Sequence, residues 1–430
     1  MLLAKQNREN LFAKLLPNSI VILPGNKLKY RSGDVEYPFR QDNNFYYLTK
    51  FVEPNAVAVF IKSNDNQNQF ILFNQEIDPE KEIWVGSIIG QQAVLEEFGV
   101  DIAYPINQID LILPQLLIDK EILYYPMFQN LELDHNLHKW RVAAQKIAKT
   151  QQSKAFPQMT EDLSVILYEL RLIKSSIELE KIRYVTQISA KAHEHIMRYV
   201  GSNKNKGLTE QHVQAEFYNY CLQHNCNDMA YPPVVASGKN ACILHYTKNS
   251  APLKEKELLL VDAGAEYDYY AADITRVFPI NGKFSAEQKD LYQLVLYAQK
   301  EAINQIKPRL LWSDLQQTII KCLVQGLVDL KLLKGDVDEL ISTKAYRSFY
   351  MHGSGHFLGM DVHDPQSYKI DGQFRSLLPG MVLTVEPGLY WQGVGIRIED
   401  DILVTQHGYE ILTKAATKEI DDIEHLMKNN

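Results

Sequence analysis

Acidic side chains follow short apolar runs at several places in the second half of this 430-residue chain. The run LLLV ends in Asp262, and Asp273 begins the apolar run that returns from it, while TVEPG contains Glu386 and GIRIEDD contains Glu399. Burying one ionised carboxylate is costly unless a partner neutralises it. We predict that a β-hairpin brings Asp262 and Asp273 together, where the two carboxylates repel each other unless a proton or a cation lies between them.

The segment MHGSGHFLGMDVHD, Met351–Asp364, provides the nitrogen donors that such a site needs. It contains three of the 12 histidines of the chain, His352, His356 and His363, and its glycines favour a tightly bent loop over a regular helix or strand. Four carboxylates and His356 are too few ligands for two separate metal ions, but they suffice if two of the carboxylates bridge. Paired ions about 3.5–4 Å apart can activate a shared water for hydrolysis near neutral pH.

The oxygen-rich donor set favours Mn²⁺ over a structural zinc site, although Zn²⁺, Co²⁺ and Fe²⁺ also accept carboxylate and imidazole ligands. Each segment taken alone has an ordinary interpretation. Glu386 fits a strand-end acid before a Pro-Gly turn, Glu399 fits an exposed acid, and His363 fits a simple hydrogen-bond partner of Asp364. The ordered set of five residues is therefore the signal, and it predicts a site for two divalent ions with Mn²⁺ as the expected metal.

The first third of the chain alternates strand-like and helix-like segments. Runs rich in β-branched and aromatic residues lie at Ala56–Lys62, Gln69–Gln75 and Glu121–Tyr125, each bounded by polar turns. The stretches QQAVLEEFG and INQIDLILPQLL between them, and LHKWRVAAQKIAK after them, are typical of helices. This alternation predicts an α/β domain with its own core.

A helix start marks the second domain, which contains all of the candidate ligands. Ser175 and Glu178 fit a capping box, and apolar residues then recur every three or four positions, as on the buried face of a helix. We place the boundary just before this helix and predict two domains, residues 1–174 and 175–430. Two domains are the expectation for a chain of this length.

Composition and charge exclude several functional classes. The net charge of −8 argues against a general affinity for nucleic acid, because that affinity requires a basic face. No run of 18 apolar residues predicts a membrane span, and the N-terminus lacks the apolar stretch of a signal peptide. The four cysteines are sparse and form no C-x-x-C pair, as expected of free thiols in a reducing compartment. We predict a cytoplasmic protein with no nucleic-acid or membrane partner.

The ordered ligand set closely resembles that of the pita-bread metallopeptidases, which include methionine aminopeptidase, prolidase and aminopeptidase P. The resemblance extends from Lys174 to about Thr413 and includes the motifs GHFLGMDVHD, TVEPGLY and GIRIEDD. It implies an α+β chain whose C-terminal catalytic domain has the pita-bread, creatinase/aminopeptidase-like fold. It also implies the full set of metal ligands, which is Asp262, Asp273, His356, Glu386 and Glu399.

The same resemblance implies roles within the site. Asp273 and Glu399 are implied to bridge the two ions, and Glu386 is implied to bind a metal and take the proton of the attacking water. The segment VVASGKNACILHY contains His245, and DVHD contains His363. By resemblance, these two imidazoles steady the carbonyl oxygen as it becomes an oxyanion, or pass a proton to the leaving nitrogen.

Further residues are implied to contact the substrate. His352 and Arg397 match the pocket for the residue after the scissile bond, and Tyr390 is a further candidate substrate-binding residue. A structural histidine remains an equal alternative for His352. The segment IWVG, Ile83–Gly86, also resembles a family segment whose tryptophan approaches an active site, often that of another subunit. Trp84 is therefore a candidate substrate-binding residue, with a half-buried structural role as the alternative.

The segment Arg31–Phe60, which contains YPFRQDNNFYYLTKF, resembles the start of the N-terminal domain of bacterial aminopeptidase P. The resemblance implies that the N-terminal α/β domain has a ribonuclease H-like fold. Methionine aminopeptidases lack such a domain, and the related domain of prolidases matches this sequence less well. The N-terminal segment therefore favours the aminopeptidase P branch of the family.

The resemblance implies a metal-dependent exopeptidase that releases the N-terminal residue from peptides with proline in second position. Prolidase, which cleaves Xaa-Pro dipeptides, is the alternative in the same class, and a pocket closed against a third residue would distinguish it. A non-enzymatic pita-bread protein that binds peptides or nucleic acid is the alternative in a different class. Such proteins typically lose ligands, whereas all five are present here. Bacterial relatives imply a homo-oligomer, either a dimer or a tetramer.

Overall fold

Two compact units make up the chain in the computed structural model, Met1–Leu170 and Arg171–Asn430. The structure describes residues 2–65, 67–150 and 156–428. The break between the units lies four residues before the boundary placed at Ser175 from the sequence. Both units contain helices and strands.

The first unit alternates helices and strands. Its elements in chain order are α1 (Leu2–Lys14), β1 (Ser19–Pro24), β2 (Tyr30–Ser32), β3 (Val35–Glu36), α2 (Asn43–Thr49), β4 (Val57–Lys62), β5 (Gln69–Asn74), α3 (Pro79–Val85), α4 (Gly90–Glu97), β6 (Ile102–Pro105), α5 (Ile109–Leu116), β7 (Ile122–Tyr125), α6 (Leu131–Thr150), β8 (Met159–Asp162) and α7 (Leu163–Leu172), whose last two residues belong to the second unit. The three strand-like runs of the sequence form β4, β5 and β7, and the three helix-like stretches contribute to α4, α5 and α6.

One mixed sheet organises this unit, with the strand order β6-β5-β4-β1-β7-β8. At its centre, β1 pairs antiparallel with β4 and parallel with β7. Apolar side chains of these strands and of β5 pack with those of α5 and α6 in one core. The α/β prediction for the N-terminal part of the chain is therefore confirmed.

The run QDNNFYYLTKF forms α2, a short helix whose residues are all buried. The Asp42 side chain accepts a hydrogen bond from the backbone nitrogen of Phe45 at 2.8 Å, which caps the helix. The helix ends at Lys50, which adopts a left-handed conformation. Full burial explains the aromatic content of this run, because each ring removes a large apolar surface from water.

The second unit contains long helices and short strands. Its elements in chain order are α8 (Ser176–Asn203), α9 (Glu210–Gln223), β9 (Asp228–Met229), β10 (Val234–Ser237), β11 (Leu258–Asp262), β12 (Ala265–Tyr267), β13 (Tyr270–Ala271), β14 (Thr275–Pro279), α10 (Ala286–Asn304), α11 (Trp312–Asp329), α12 (Val337–Ser342), β15 (Lys369–Ile370), β16 (Gln373–Phe374), β17 (Val382–Val385), β18 (Gly388–Trp391), β19 (Val394–Arg397), β20 (Asp400–Val404), β21 (Tyr409–Ile411) and α13 (Ile420–Leu426). The capping box predicted at Ser175 is present at the start of α8, where Glu178 bonds back to the backbone nitrogen of Ser175 at 2.8 Å.

Two short sheets of this unit position the candidate ligands, with the strand orders β10-β11-β14 and β17-β20-β21. Apolar residues of these strands share one core with those of α8, α9, α10 and α11. Each helix therefore buries its apolar face against the strands and leaves its polar face to solvent. This arrangement agrees with the α+β class predicted from the sequence.

The hairpin predicted between the first two acidic residues is only partly present. β11 does pair with β14, which places Asp262 opposite Thr275, but Asp273 lies two residues before β14 and not on it. The intervening chain forms β12 and β13, which pair with each other, and β12 also pairs with β9. The backbone nitrogen of Ala263 still donates to the carbonyl oxygen of Ile274 at 3.0 Å. This bond keeps the two carboxylates close together.

Candidate active site

A cleft of about 350 Å³ in the second unit is lined by most of the residues predicted to act. The predicted residues in its wall are Asp262, Asp273, His356, Glu386, Glu399, His245, His352, His363 and Arg397. Tyr390 is hydrogen-bonded to this wall, since its hydroxyl lies 2.9 Å from Nε2 of His352. Trp84 belongs to α3 of the other unit, and its 87% exposure does not fit a half-buried structural role.

Three of the predicted ligands converge on one point. A carboxylate oxygen of Asp273, a carboxylate oxygen of Glu399 and a ring nitrogen of His356 all lie within 4.8 Å of one another. Nε2 of His356 is 3.2 Å from Oδ2 of Asp273 and 3.8 Å from Oε1 of Glu386. Nδ1 of the same ring lies 3.1 Å from the carbonyl oxygen of Phe357. When Nδ1 is protonated, it donates to this carbonyl oxygen, and the lone pair of Nε2 then faces the carboxylates.

Backbone pairing places the ligands. Asp262 ends β11, Glu386 directly follows β17, and Glu399 directly precedes β20. The histidine ligand is attached to β17 as well, because the backbone nitrogen of Thr384 donates to the carbonyl oxygen of His356 at 2.8 Å. In return, the hydroxyl of Thr384 accepts from the backbone nitrogen of His356 at 3.0 Å. Each ligand is thus fixed by main-chain register.

Two glycines permit close backbone approaches beside these ligands. A Cβ atom on Gly264 would lie 1.8 Å from the carbonyl oxygen of Ala272, and one on Gly355 would lie 2.0 Å from that of Thr384. Both distances are far below van der Waals contact, so any larger residue would push the two segments apart. Gly355 therefore explains part of the glycine content of the histidine-rich segment.

The electrostatics of the cluster fit a bound cation. Burial raises the pKa of Glu386 to about 7 and that of Glu399 well above its ordinary range, and neighbouring carboxylates add to both shifts. Burial lowers the pKa of His356, but the carboxylates of Asp273 and Glu386 outweigh it and raise that pKa to about 9. A field that holds a proton this firmly also stabilises a divalent ion in its place. The donor set is therefore suited to a metal.

Tyr231 belongs to the site, although no sequence pattern identified it. Its hydroxyl lies 2.6 Å from Oδ1 of Asp262 and 2.5 Å from Oδ1 of Asp273. Burial and then these two carboxylates raise the pKa of the phenol well above its usual value, so it stays protonated. Its one hydrogen can be donated to either acid. The only sequence signal is a Tyr-Pro-Pro turn directly before the apolar residues of β10.

Arg397 connects the ligand cluster to the wall of the cleft. Its Nη2 forms an ion pair with Asp262, its Nε donates to the hydroxyl of Thr275 at 3.0 Å, and its Nη1 donates to the hydroxyl of Tyr390 at 3.0 Å. Burial and then Arg397 lower the pKa of His352 to about 4, so this ring is neutral at neutral pH. These side chains form one connected hydrogen-bonded wall.

Comparison with known proteins assigns the family. Residues 180–406 match the family model of metallopeptidase family M24, and residues 4–124 match that of the aminopeptidase P N-terminal domain. The chain belongs to metallopeptidase family M24. It is 41% identical to the Xaa-Pro aminopeptidase of Haemophilus influenzae, over 98% of this chain and 96% of that protein.

Solved structures of M24 relatives agree with this assignment. Aminopeptidase PepP of Pseudomonas aeruginosa superposes with a TM-score of 0.94 at 42% identity, covering 99% of this chain and 97% of that one. Zn-substituted aminopeptidase P of Escherichia coli, in complex with product, superposes with a TM-score of 0.94 at 38% identity, covering 99% and 98% of the two chains. The predicted family, the predicted fold class and the predicted class of metal-dependent aminopeptidase are confirmed.

The two remaining histidines of this M24 site lie on loops. The ring centroid of His363 is 4.3 Å from that of His356, and desolvation in the cleft, followed by His356, lowers the pKa of His363. His245 lies between β10 and β11, and its side chain is exposed at the wall of the cleft. Both residues therefore line the cleft.

A buried ion cluster anchors the loop that contains His363. The next residue, Asp364, is 4% exposed. Its carboxylate lies 2.6 Å from Nη2 of Arg171 and 3.0 Å from Nζ of Lys174. Burial acts to raise the pKa of Asp364, but the two cations outweigh it and hold that pKa below its ordinary value. The loop is thus fixed by charged side chains.

Among the described residues, no helix has both the length and the hydropathy needed to span a bilayer.

Proposed function

We propose that this M24 chain is an Xaa-Pro aminopeptidase, which removes the N-terminal residue from peptides with proline in second position. The observation that supports this proposal is the cleft, which is lined by the five proposed metal ligands and by three further histidines. The same chain also matches the aminopeptidase P N-terminal domain. Relatives from Haemophilus influenzae and Escherichia coli that match over 98% of this chain are named Xaa-Pro aminopeptidase. A bond to proline lacks an amide hydrogen and has a fixed φ, so it requires a dedicated site.

The proposed metal site uses the acids and the imidazole that converge in the cleft. Its ligands are Asp262, Asp273, His356, Glu386 and Glu399. Two divalent ions can share this set if Asp273 and Glu399 each offer both carboxylate oxygens, and the excess of oxygen donors favours Mn²⁺. When bound, such ions polarise the peptide carbonyl and lower the pKa of the attacking water.

The side chains of the cleft perform the proton transfers. Glu386 accepts the proton of the attacking water on its carboxylate. His245 and His363 donate to the carbonyl oxygen as its negative charge develops, or pass a proton to the leaving proline nitrogen. Both rings lie on loops at the wall of the cleft, away from the strand ends that hold the acids.

The bonded wall of the cleft forms the proposed proline pocket. Its members are His352, Tyr390 and Arg397, and each is hydrogen-bonded to at least one of the others. Because these side chains are already held in place before substrate binds, little conformational entropy is lost when the proline ring packs against them. Arg397 also fixes Asp262 through its ion pair, so the pocket and the metal site are oriented together.

Hydrolysis of matched peptides tests the proposed function. Metal-stripped protein is supplied with Mn²⁺ and then with Arg-Pro-Pro, with Ala-Pro, and with Arg-Ala-Ala as the control that lacks proline. We expect release of arginine from Arg-Pro-Pro and little cleavage of the other two. Cleavage of Ala-Pro alone would indicate a prolidase with a closed pocket. Failure on every peptide with Mn²⁺, Co²⁺ and Zn²⁺ would contradict the proposal. The metal content of the purified protein would then be measured, and a protein without bound metal would fit the non-enzymatic alternative.

We also propose that the protein is a cytoplasmic homo-oligomer, a dimer or a tetramer, with two domains that comprise residues 1–174 and 175–430. The exposed Trp84 is available to the active site of a neighbouring subunit. Sedimentation velocity measures the assembly. Trp84→Ala would lower peptide hydrolysis if the side chain reaches such a site, whereas unchanged hydrolysis would contradict this role.

A further inference from the structure

The carboxylate of Glu210, the first residue of α9, is fully buried. Its Oε1 accepts hydrogen bonds from the backbone nitrogen of Ser237 at 2.8 Å, the hydroxyl of Ser237 at 2.8 Å and the side-chain nitrogen of Asn240 at 3.0 Å. Its Oε2 accepts from the hydroxyl of Tyr246 at 2.8 Å and the backbone nitrogen of Ala251 at 2.9 Å. All five donors are uncharged, and they belong to Ser237, the last residue of β10, and to the loop that joins β10 to β11.

That loop contains His245, which directly precedes Tyr246. The loop leaves β10 at Ser237. Glu210 holds Ala251 by a second hydrogen bond, because the backbone nitrogen of Glu210 donates to the carbonyl oxygen of Ala251 at 2.9 Å. One buried carboxylate therefore holds the first and last residues of the segment Ser237–Ala251, which contains the histidine, and also the neighbour of the histidine. An exposed loop side chain otherwise has few constraints on its position.

A carboxylate suits this position better than any neutral side chain of the same size. Burial raises the pKa of Glu210, but the hydrogen bonds from the loop outweigh it and lower that pKa, so the group is ionised at neutral pH. An ionised carboxylate accepts at both oxygens, whereas a glutamine amide accepts at one and donates at the other. In Glu210→Gln, an NH₂ group would face either the Ser237 and Asn240 donors or the Tyr246 and Ala251 donors.

A second buried side chain holds a different part of the loop. Oδ1 of Asn249 accepts from the backbone nitrogen of Val235 at 3.0 Å, and its Nδ2 donates to the carbonyl oxygen of Pro233 at 2.8 Å. These bonds tie Asn249 to the start of β10. They do not involve Tyr246, whose hydroxyl donates to Glu210 and accepts from Nδ2 of Asn240 at 3.1 Å, a side chain that Glu210 also holds.

We propose that Glu210 is a positioning residue for His245, which it holds at the cleft through Tyr246 and through Ser237 and Ala251, the two ends of this segment. The catalytic consequence rests on the proposed function, because it requires that His245 act on the substrate. Glu210 itself does not line the cleft. A displacement of about 1 Å in a catalytic group can lower a rate by about 10²-fold.

Steady-state kinetics with a matched control tests the catalytic consequence. In Glu210→Gln we expect kcat for Arg-Pro-Pro to fall by about 10- to 100-fold, with KM and metal content little changed. The control is Glu216→Gln, the same change on the same helix, where the carboxylate lies 2.6 Å from Nε2 of His195. The control should leave kcat unchanged. Equal kcat in Glu210→Gln and the wild type would overturn the proposal.

A double-mutant cycle separates positioning from a general structural effect. If Glu210 acts through His245, Glu210→Gln should lower kcat by less than about twofold in the His245→Ala background. A further fall as large as that in the wild-type background would overturn the proposal. Tyr246→Phe removes the bond to Glu210 and the bond that the Tyr246 hydroxyl accepts from Asn240, but leaves the other Glu210 contacts, and it should lower kcat in the same direction by a smaller factor. If Glu210→Gln does not fold, Tyr246→Phe takes its place in the double-mutant cycle.

Hydrogen exchange of the loop amides gives a result that does not depend on peptide hydrolysis. In metal-free protein, we expect the peptide that covers Ser237–Ala251 to exchange faster in Glu210→Gln than in the wild type, and Glu216→Gln to match the wild type. Unchanged exchange in Glu210→Gln would overturn the anchoring role. If the wild type cleaves no Xaa-Pro peptide but the loop still loosens, the proposed function fails and the anchoring of the loop by Glu210 stands.

Discussion

The proposed metal-ligand acids and the proposed helper histidines of the cleft are positioned in two different ways. Asp262, Glu386 and Glu399 lie at strand ends, where paired backbone groups set their places. His245 and His363 lie on loops, and each has a neighbour held by a buried ionised side chain. The cleft therefore combines acids fixed by main-chain register with imidazoles fixed by side-chain anchors.

This difference determines where each half of the site is vulnerable. Strand register is shared among many backbone hydrogen bonds, so no single distant side chain controls the place of a ligand. A loop has few such bonds, so the loss of one buried anchor is expected to displace the residue that it holds. The ligands should thus be sensitive to their own substitution, and the loop histidines should also be sensitive to substitution of Glu210 and Asp364.

The largest effect is expected when a ligand itself is removed. His356→Ala deletes the imidazole whose Nε2 lies 3.2 Å from Asp273. We expect metal content to fall and Mn²⁺-dependent kcat/KM to drop by more than about 10³-fold, because loss of a mere partner of a ligand already costs about 10- to 100-fold. Elemental analysis and hydrolysis of Arg-Pro-Pro measure both. His407→Ala, at an exposed turn before β21, is the control. Full metal content in His356→Ala would show that this histidine is not a ligand.

Asp364→Asn tests the buried anchor of the loop that contains His363. Its carboxylate lies between the buried cations of Arg171 and Lys174, and asparagine leaves both without this counter-charge. We expect the free energy of unfolding to fall by about 3–5 kcal/mol, as for other broken buried ion pairs. Urea denaturation measures the loss, and kcat should also fall as the loop of His363 loosens.

Asp361→Asn is the matched control for this variant. Asp361 contacts the same guanidinium of Arg171, but its side chain is 39% exposed. Exposed ion pairs contribute at most about 1 kcal/mol, so the loss should be several times smaller than in Asp364→Asn. Equal losses in the two variants would show that burial is not what makes the Asp364 anchor strong.

Acid should remove the same stabilisation from the wild type. The pKa of Asp364 lies below that of an unfolded aspartate, about 3.9, since Arg171 and Lys174 outweigh the effect of burial. Its contribution is therefore fully present above the unfolded pKa and is lost as the pH falls through the lower folded pKa. The difference in free energy of unfolding between the wild type and Asp364→Asn should be constant above about pH 5 and shrink below about pH 4. A difference that grows in acid would contradict this sign.

The strand-held half of the site could be predicted because each ligand follows a local pattern. Asp262 ends the run LLLV, and Glu386 ends MVLTV before Pro-Gly. The helix start at Ser175 was equally local, since a capping box needs only four consecutive residues. Local reasoning was wrong in detail at Asp273, because the sequence does not show that β12 and β13 pair away from the expected hairpin.

The anchors could not be predicted because they act over long distances along the chain. Glu210 lies 36 residues before Tyr246, and Tyr231 lies 42 residues before Asp273. In the sequence, Glu210 is one acid in the first turn of an amphipathic helix, where an exposed acid is common. Periodicity assigns a residue to a helix face but does not tell which loop covers that face.

The smallest effect is expected at Tyr231, which belongs to a loop but contacts one proposed ligand at a strand end, Asp262, and one just before a strand, Asp273. Tyr231→Phe removes a hydroxyl that lies within 2.6 Å of Asp262 and Asp273 and leaves the ring in place. We expect Mn²⁺ affinity to weaken by about 10- to 100-fold, as for other partners that orient a ligand. Titration of metal-free protein with Mn²⁺ measures it, with Tyr297→Phe at an exposed site of α10 as the control. An unchanged Mn²⁺ affinity would mean that the main chain alone orients Asp262 and Asp273. A loss of metal as large as in His356→Ala would place Tyr231 among the ligands. The division between ligands held by the main chain and histidines held on loops would then fail.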